Sequence, residues 1–160
     1  MFELQNPHQL LKHEYLEDSA GAGQWRGGLG VETDFMIGGD NITGVAFGDG
    51  VEIEARAFGL FGGKEGEINR LTLNYPDGSN YRPRSKEIIR DIPTRTRYHQ
   101  IAGGGGGYGD PYSRDEAEVL KDVLQGFVSV GAAQTLYGVA VDVATKTVNS
   151  IETAKLRGRS

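Results

Sequence analysis

The side chains in this chain of 160 residues that have the chemistry to hold an anion or a partner stand beside glycine. Arg26 lies in DSAGAGQWRGGLGVE, next to the single tryptophan, Trp25, and ahead of Gly27 and Gly28. Lys64 lies in FGLFGGKEGE, behind Gly62 and Gly63. Tyr108 and Asp110 flank Gly109 in IAGGGGGYGDPYSRDE, just after five consecutive glycines. A guanidinium on a loop can grip a carboxylate or phosphate through two parallel hydrogen bonds. A lysine between glycines is mobile enough to neutralise an anion. Trp25, Arg26, Lys64, Tyr108 and Asp110 are therefore the candidates for contact with a ligand or an interface. The plainer alternatives are a turn-rich connection with Trp25 buried or at an interface, and a solvated Lys64.

The glycine run invites a phosphate reading, because a glycine-rich loop before a helix can cradle phosphate oxygens. Gly104, Gly106 and Gly109 do satisfy G-x-G-x-x-G. The dinucleotide fingerprint also needs its third glycine in the opening turn of a helix, within a βαβ unit. Here Gly109 is followed by Asp110-Pro111, and the helix is predicted only from Ser113. No Gly-Lys-Ser/Thr closes a P-loop. The run reads instead as a bend where two pieces of main chain lie so close that a Cβ would clash. On that reading Gly27, Gly28, Gly62, Gly63, Gly103, Gly104, Gly105, Gly106, Gly107 and Gly109 are structural, and the run is expected to use positive φ.

No catalytic constellation emerges. The histidines, His8, His13 and His99, lack the spacing of a metal-ligand pair. Ser19, Ser79 and Ser85 lack the context of a nucleophile elbow. Cysteine is absent, which removes disulfides, thiolate zinc sites and a thiol nucleophile. Asp110 and His99 are a pair that only folding can bring together. We therefore name no catalytic residue and no metal site, and expect a chain that helps build an active enzyme.

Stepping from these residues to the elements that hold them, glycine is abundant, 25 of 160, in a chain that is not low-complexity. That favours a β protein with many tight turns. Period-two alternation runs through residues 9–102. Val31, Thr33, Phe35 and Ile37 share one face, opposite Glu32 and Asp34. Thr43, Val45 and Phe47 share another. VEIEARAFG reads as a half-buried strand, RLTLN as a strand ending in the turn Pro76-Asp77-Gly78, and RYHQIA as a further strand. After the glycine-rich loop, 103–110, the period becomes helical over 113–157. Ser113 with Glu116 forms a capping box for a helix with the stripe Ala117, Leu120, Val123 and Leu124, ending at Gly126. Ser129 caps a second helix carrying Ala132, Ala133, Leu136 and Tyr137, stopped by Gly138. VAVDV is a short strand, and Asn149 with Glu152 opens a last helix. The fold class is α+β: a β-rich first two-thirds, sandwich or barrel-like, then short C-terminal helices, in one domain over 1–160.

Lys plus Arg is 17 against 22 Asp plus Glu, a formal charge of −5, so nucleic acid is not an expected partner. No apolar run approaches the roughly 20 residues of a membrane helix, and no secretory leader is visible. A soluble, cytoplasmic protein that does not bind membranes is expected.

Three stretches, DSAGAGQWRGGLGVE, FGLFGGKEGE and GGGGYGDPYSRDEAEVLKDVLQGFVS with AAQTLYGV after it, occur in that order. Together they resemble the C-terminal region of the hydantoinase B/oxoprolinase family. It includes N-methylhydantoinase B subunits, 5-oxoprolinases and the large subunits of acetone and acetophenone carboxylases. The resemblance runs from about Tyr15 to Arg157. It implies a small non-catalytic subunit of a multi-subunit ATP-dependent carboxylase or hydantoinase complex. The implied partners are a longer B-type chain and an A-type subunit with the ATP-binding module. In such a complex a carbonyl or amide is activated by phosphorylation, then a cyclic amide is hydrolysed or a ketone carboxylated. ATP and a divalent metal are expected in the partner subunits, and no cofactor on this chain. Compared with B-type chains this one is short, as if a B-type subunit were split or a small subunit dedicated to the task. Division into many subunits leans towards carboxylation. A free-standing small-anion-binding module, built around Arg26 and Lys64, is the alternative, as is a component of an amide hydrolase.

Overall fold

The computed structural model of the chain describes residues 2–158. Contacts divide it into two compact units, each assembled from stretches far apart in sequence. The first takes the chain up to Glu14, Val31–Arg56 and Ile68–Ala102. The second takes Tyr15–Gly30, Ala57–Glu67 and the chain from Gly103 onward.

In the first unit a short helix, α1 (Phe2–Gln5), precedes strands β1 (Gln9–Tyr15), β2 (Val31–Met36), β3 (Ile42–Phe47), β4 (Arg70–Asn74), β5 (Asn80–Tyr81), β6 (Lys86–Ile92) and β7 (Arg97–Ala102). Five of them form a sheet in the order β1-β2-β7-β4-β5, while β3 and β6 pair separately. The pairings β2/β7, β4/β7 and β3/β6 are antiparallel. Ile37, Leu73 and Ile92 form the buried core, with Phe35, Ile42, Ile89 and Tyr98 packed on it, so both sheets share one apolar interior. Phe35 opposes Tyr98 in the register, and their rings stack with centroids 4.3 Å apart. The turn at Pro76-Asp77-Gly78 is as the sequence predicts: Gly78 takes φ 86° and the Asp77 carboxylate accepts from Ser79.

Three strand expectations change. VEIEARAFG is not a strand; it closes a 3-10 turn, Ile53–Ala55, in which the Ala55 N–H donates to the Glu52 carbonyl. Alternation supplies a face but not a hydrogen-bonding partner, and without one a ladder does not form. Val45 and Phe47 do share a face, but that face is exposed and Ala46 points inward. Asp34, on the polar side of the β2 pattern, is buried and takes a bidentate ion pair from Arg97. Among the described residues the β-rich part forms an open sheet with a packed strand pair, and no closed barrel.

In the second unit, α2 (Glu116–Leu124), α3 (Val130–Tyr137), the two-residue strands β8 (Val141–Asp142) and β9 (Thr147–Val148), and α4 (Ser150–Leu156) follow the glycine run. Ser129 and Asn149 are the N-caps expected for α3 and α4, accepting from Ala132 and Glu152 N–H. Gly138 ends α3 at φ 62°. The cap of α2 is Asp115, which accepts from Ala117 and Glu118 N–H. Asp115-x-x-Glu118 competes with Ser113-x-x-Glu116, and Pro111–Ser113 is already committed to a 3-10 turn capped by Asp110. The stripe of α2 is therefore turned: Val119 and Asp122 are buried, and Leu124 is exposed. Ala22, Val119, Val128, Ala133, Tyr137 and Val139 make the core of this unit.

Burial pushes the Tyr137 phenol up to about 12 from its ordinary 10.0. A folded-state value above the unfolded one stabilises the fold below pH 10, and that contribution is lost as pH rises towards 12. Denaturation at pH 8 and pH 12 should show the wild type losing roughly 2–3 kcal/mol more than Tyr137→Phe between the two. Equal losses in the two proteins would rule out this account of Tyr137.

Candidate functional site

The candidate residues converge on the glycine run in the second unit. Gly103 to Gly107 are not in positive φ; among the glycines singled out, only Gly62 (φ 97°) and Gly109 (φ 76°) are. The expected positive-φ bend is thus replaced by a run whose contacts recur every third residue. Gly104 and Gly107 face the carbonyls of Ser19 and Ala22. Gly105 and Tyr108 donate to the carbonyls of Gly28 and Trp25, each at 2.9 Å. Gly106 faces the Phe58 carbonyl, and Gly109 donates to Leu60 at 2.9 Å. Three residues per turn is the repeat of a polyproline-II helix, whereas a strand repeats in two. One extended run thereby takes neighbours on three sides in rotation.

What makes glycine necessary is the space. A Cβ on Gly104, Gly106 or Gly107 would lie well under 3.0 Å from a neighbouring carbonyl oxygen. The reverse holds for Gly27 and Gly63, whose Cβ would meet the carbonyls of Gly105 and Gly107 at similarly short range. Gly105 is less tight, with Gly28 N at 3.1 Å, and Gly28 faces nothing within 4 Å. Gly103 follows directly on β7. The amides of Gly105, Gly107, Tyr108 and Gly109 all point at main-chain carbonyls.

Arg26 is committed to the scaffold. Its Nε and Nη2 donate to the two carboxylate oxygens of Asp122 at 2.9 and 3.2 Å, and its Nη1 donates to the Gly27 carbonyl. The guanidinium also lies over the Phe127 ring. Arg114 donates to the same Asp122 at 3.0 Å and to the Gln24 carbonyl. Its Nε is buried without an acceptor. Arg157 closes the arrangement by donating to the carbonyls of Tyr137 and Arg114. Asp122 thus ties the glycine segments to α2. Sequence reasoning missed Arg114, Asp122 and Arg157. The available signal was Asp122 itself, three residues from Val119 and one from Val123, a carboxylate on a helix face that must pack inward.

Of the other candidates, Lys64 and Asp110 line an open hollow of about 310 Å³, together with Gly62, Pro111, Tyr112, Thr135 and Leu136. Lys64 is exposed, and the Asp110 carboxylate accepts from Tyr112 N–H as a cap. Asp110 and His99 do not pair: the acceptor beside His99 Nε2 is Glu32, at 2.9 Å. Lys12 foremost, then His99, hold the Glu32 carboxyl below its ordinary value. Trp25 and Tyr108 exchange both backbone hydrogen bonds and are exposed rather than buried. Among the described residues no group of acids and histidines could hold a metal. The hollow offers one cation and one carboxylate, which suits contact with a polar group rather than proton or acyl transfer.

A family model for hydantoinase B/oxoprolinase matches residues 1–111. The chain is similar to caprolactamase subunit beta of Pseudomonas jessenii, at 34% identity over 87% of this chain and 24% of the relative. It superposes on the crystal structure of the ATP-dependent caprolactamase from Pseudomonas jessenii with a TM-score of 0.77 at 28% identity, covering 98% of this chain and 27% of that one. A nucleotide-free acetone carboxylase gives 0.76 at 24% identity over 99% of this chain and 25% of that one, a likeness of fold. The chain spans about a quarter of the length of these relatives.

Gly106→Ala should cost about 3 kcal/mol, the upper end of overpacking, because the obstacle is main chain that cannot rotate aside. Gly28→Ala should stay within about 0.5 kcal/mol. Thermal melts of both decide this, and equal melting points would remove the close-packing account. Asp122→Ala leaves two guanidiniums facing each other and should lose about 3–5 kcal/mol in urea denaturation; a loss under about 1 kcal/mol would mean that the carboxylate is not the tie.

Proposed function

The chain belongs to the hydantoinase B/oxoprolinase family, and on that premise we propose that it is a small subunit, without catalytic residues of its own, of an ATP-dependent multi-subunit enzyme. The observation that supports this most is the fractional match. Nearly all of this chain follows the fold of a caprolactamase chain, yet it accounts for 27% of that chain. On this reading the active site is completed by further polypeptide. The partners proposed are a longer B-type chain and an A-type subunit that binds ATP with a divalent metal. The assembly is proposed to be cytoplasmic. Among the described residues no helix is long and apolar enough to cross a membrane.

Of the two reactions, hydrolysis of a cyclic amide is the better supported, because the similarity in sequence to a caprolactamase subunit extends over 87% of this chain. Phosphorylation of the amide oxygen by ATP would convert a poor electrophile into one that water can attack. In this chain the residues near the hollow would position or enclose.

Purification of the tagged chain from its native source should bring down a longer chain of the same family and an ATP-binding chain. The assembly should open a lactam or hydantoin ring in the presence of ATP and Mg²⁺, and this chain alone should turn nothing over. A monomer without partners, or turnover by the lone chain, would overturn the reading. Calorimetry of the isolated chain with ATP, phosphate and small carboxylates should give no heat; binding there would favour the anion-binding alternative.

A further inference from the structure

The glycine stack carries a crest of large apolar side chains. Trp25 is 66% exposed, Leu60 49%, Phe61 77% and Tyr108 48%. They are neighbours. Trp25 and Tyr108 are an antiparallel pair that exchanges both backbone hydrogen bonds, which sets their side chains on one face. Leu60 bridges Tyr108 on its other side, and the Phe61 and Tyr108 rings lie 5.1 Å apart. A crest of this size left in water is costly, and clustered exposed apolar groups mark a surface that is normally covered.

The crest is also stiff. Tyr108 and Trp25 are tied at 2.9 and 3.0 Å, and Leu60 N–H donates to Gly107 at 2.9 Å. In the backbone beneath, main chain packs directly on main chain at Gly104, Gly106 and Gly107. A surface ordered beforehand loses little entropy on docking. Tryptophan and tyrosine are the residues most often found where binding energy concentrates.

The relatives indicate what covers it. They contain this fold as about a quarter of a chain, so in them the other three-quarters is polypeptide outside this fold. We propose that the crest of Trp25, Leu60, Phe61 and Tyr108 is the seat of the polypeptide corresponding to that remaining part of a B-type chain. The inference rests on the subunit reading above and adds the surface and the partner that meet there.

The test uses the native assembly. A photoactivatable benzoylphenylalanine is placed at Phe61, and as a control at Ile151, an exposed position on α4 in the same unit. Irradiation should link position 61 to the longer family member, with at least ten-fold less product from position 151. If the complex copurifies but position 61 links to a second copy, to the ATP-binding chain or to nothing, the surface assignment falls while the subunit reading stands. If no complex is recovered, the subunit reading falls and the docking surface with it. Trp25 is the only tryptophan, so its emission should also shift to the blue on assembly. Trp25→Ala with Phe61→Ala should weaken binding of the longer chain about 30-fold or more, as loss of a hot spot does. An unchanged melting point would show that the loss is one of contact. An unchanged affinity would overturn the proposal.

Discussion

The second unit depends on one steric fact: in its centre, main chain packs directly on main chain. Gly104, Gly106 and Gly107 meet neighbouring carbonyls on different sides, at separations that leave no room for a methyl group. The run turns with a three-residue repeat, so it can satisfy three neighbours where a strand satisfies two. Hydrogen bonds supply the cohesion that side chains cannot. The usual core of interlocking apolar groups lies beside the stack, around Val119 and Tyr137, rather than inside it.

Such a stack needs to be held from its rim, because glycine contributes no side-chain contacts. Asp122 performs this by taking Arg26 from one glycine segment and Arg114 from the approach to α2. Two guanidiniums on one buried carboxylate are costly to desolvate and more costly to leave unpaired. Their role is to set where α2 lies against the glycine segments. The same commitment removes Arg26 as a receptor for a free anion. The groups left exposed lie outward, at the hollow beside Lys64 and on the apolar crest of the stack.

This division shapes what the second unit presents to its surroundings. Glycines fix the backbone, and the backbone presents Trp25, Leu60, Phe61 and Tyr108 in one place. The first unit is an ordinary sheet structure with its own core and its own ion pairs, including Lys12 with Glu32 and Asp34 with Arg97.

Local signals were legible in the sequence wherever a residue acts on its own neighbours. Ser129 and Asn149 as caps, Gly138 as a stop, the Pro76-Asp77-Gly78 turn, and β2, β4 and β7 depend on contacts a few residues away or on strong alternation. The need for glycine at 104, 106 and 107 was legible too, as a close approach of main chain. Its cause was not: close packing by rotation around a three-residue repeat requires knowing that residues 19–28 and 58–66 arrive alongside. Ser113 gave way to Asp115 because Pro111–Ser113 forms a 3-10 turn, and the α2 stripe turned so that a buried carboxylate meets two arginines 8 and 96 residues away. Residues 51–57 failed as a strand because alternation does not provide a ladder partner. Composition and local spacing settled the fold class and several of the elements. Only tertiary contact decided which side chains face inward, since that choice belongs to partners distant along the chain.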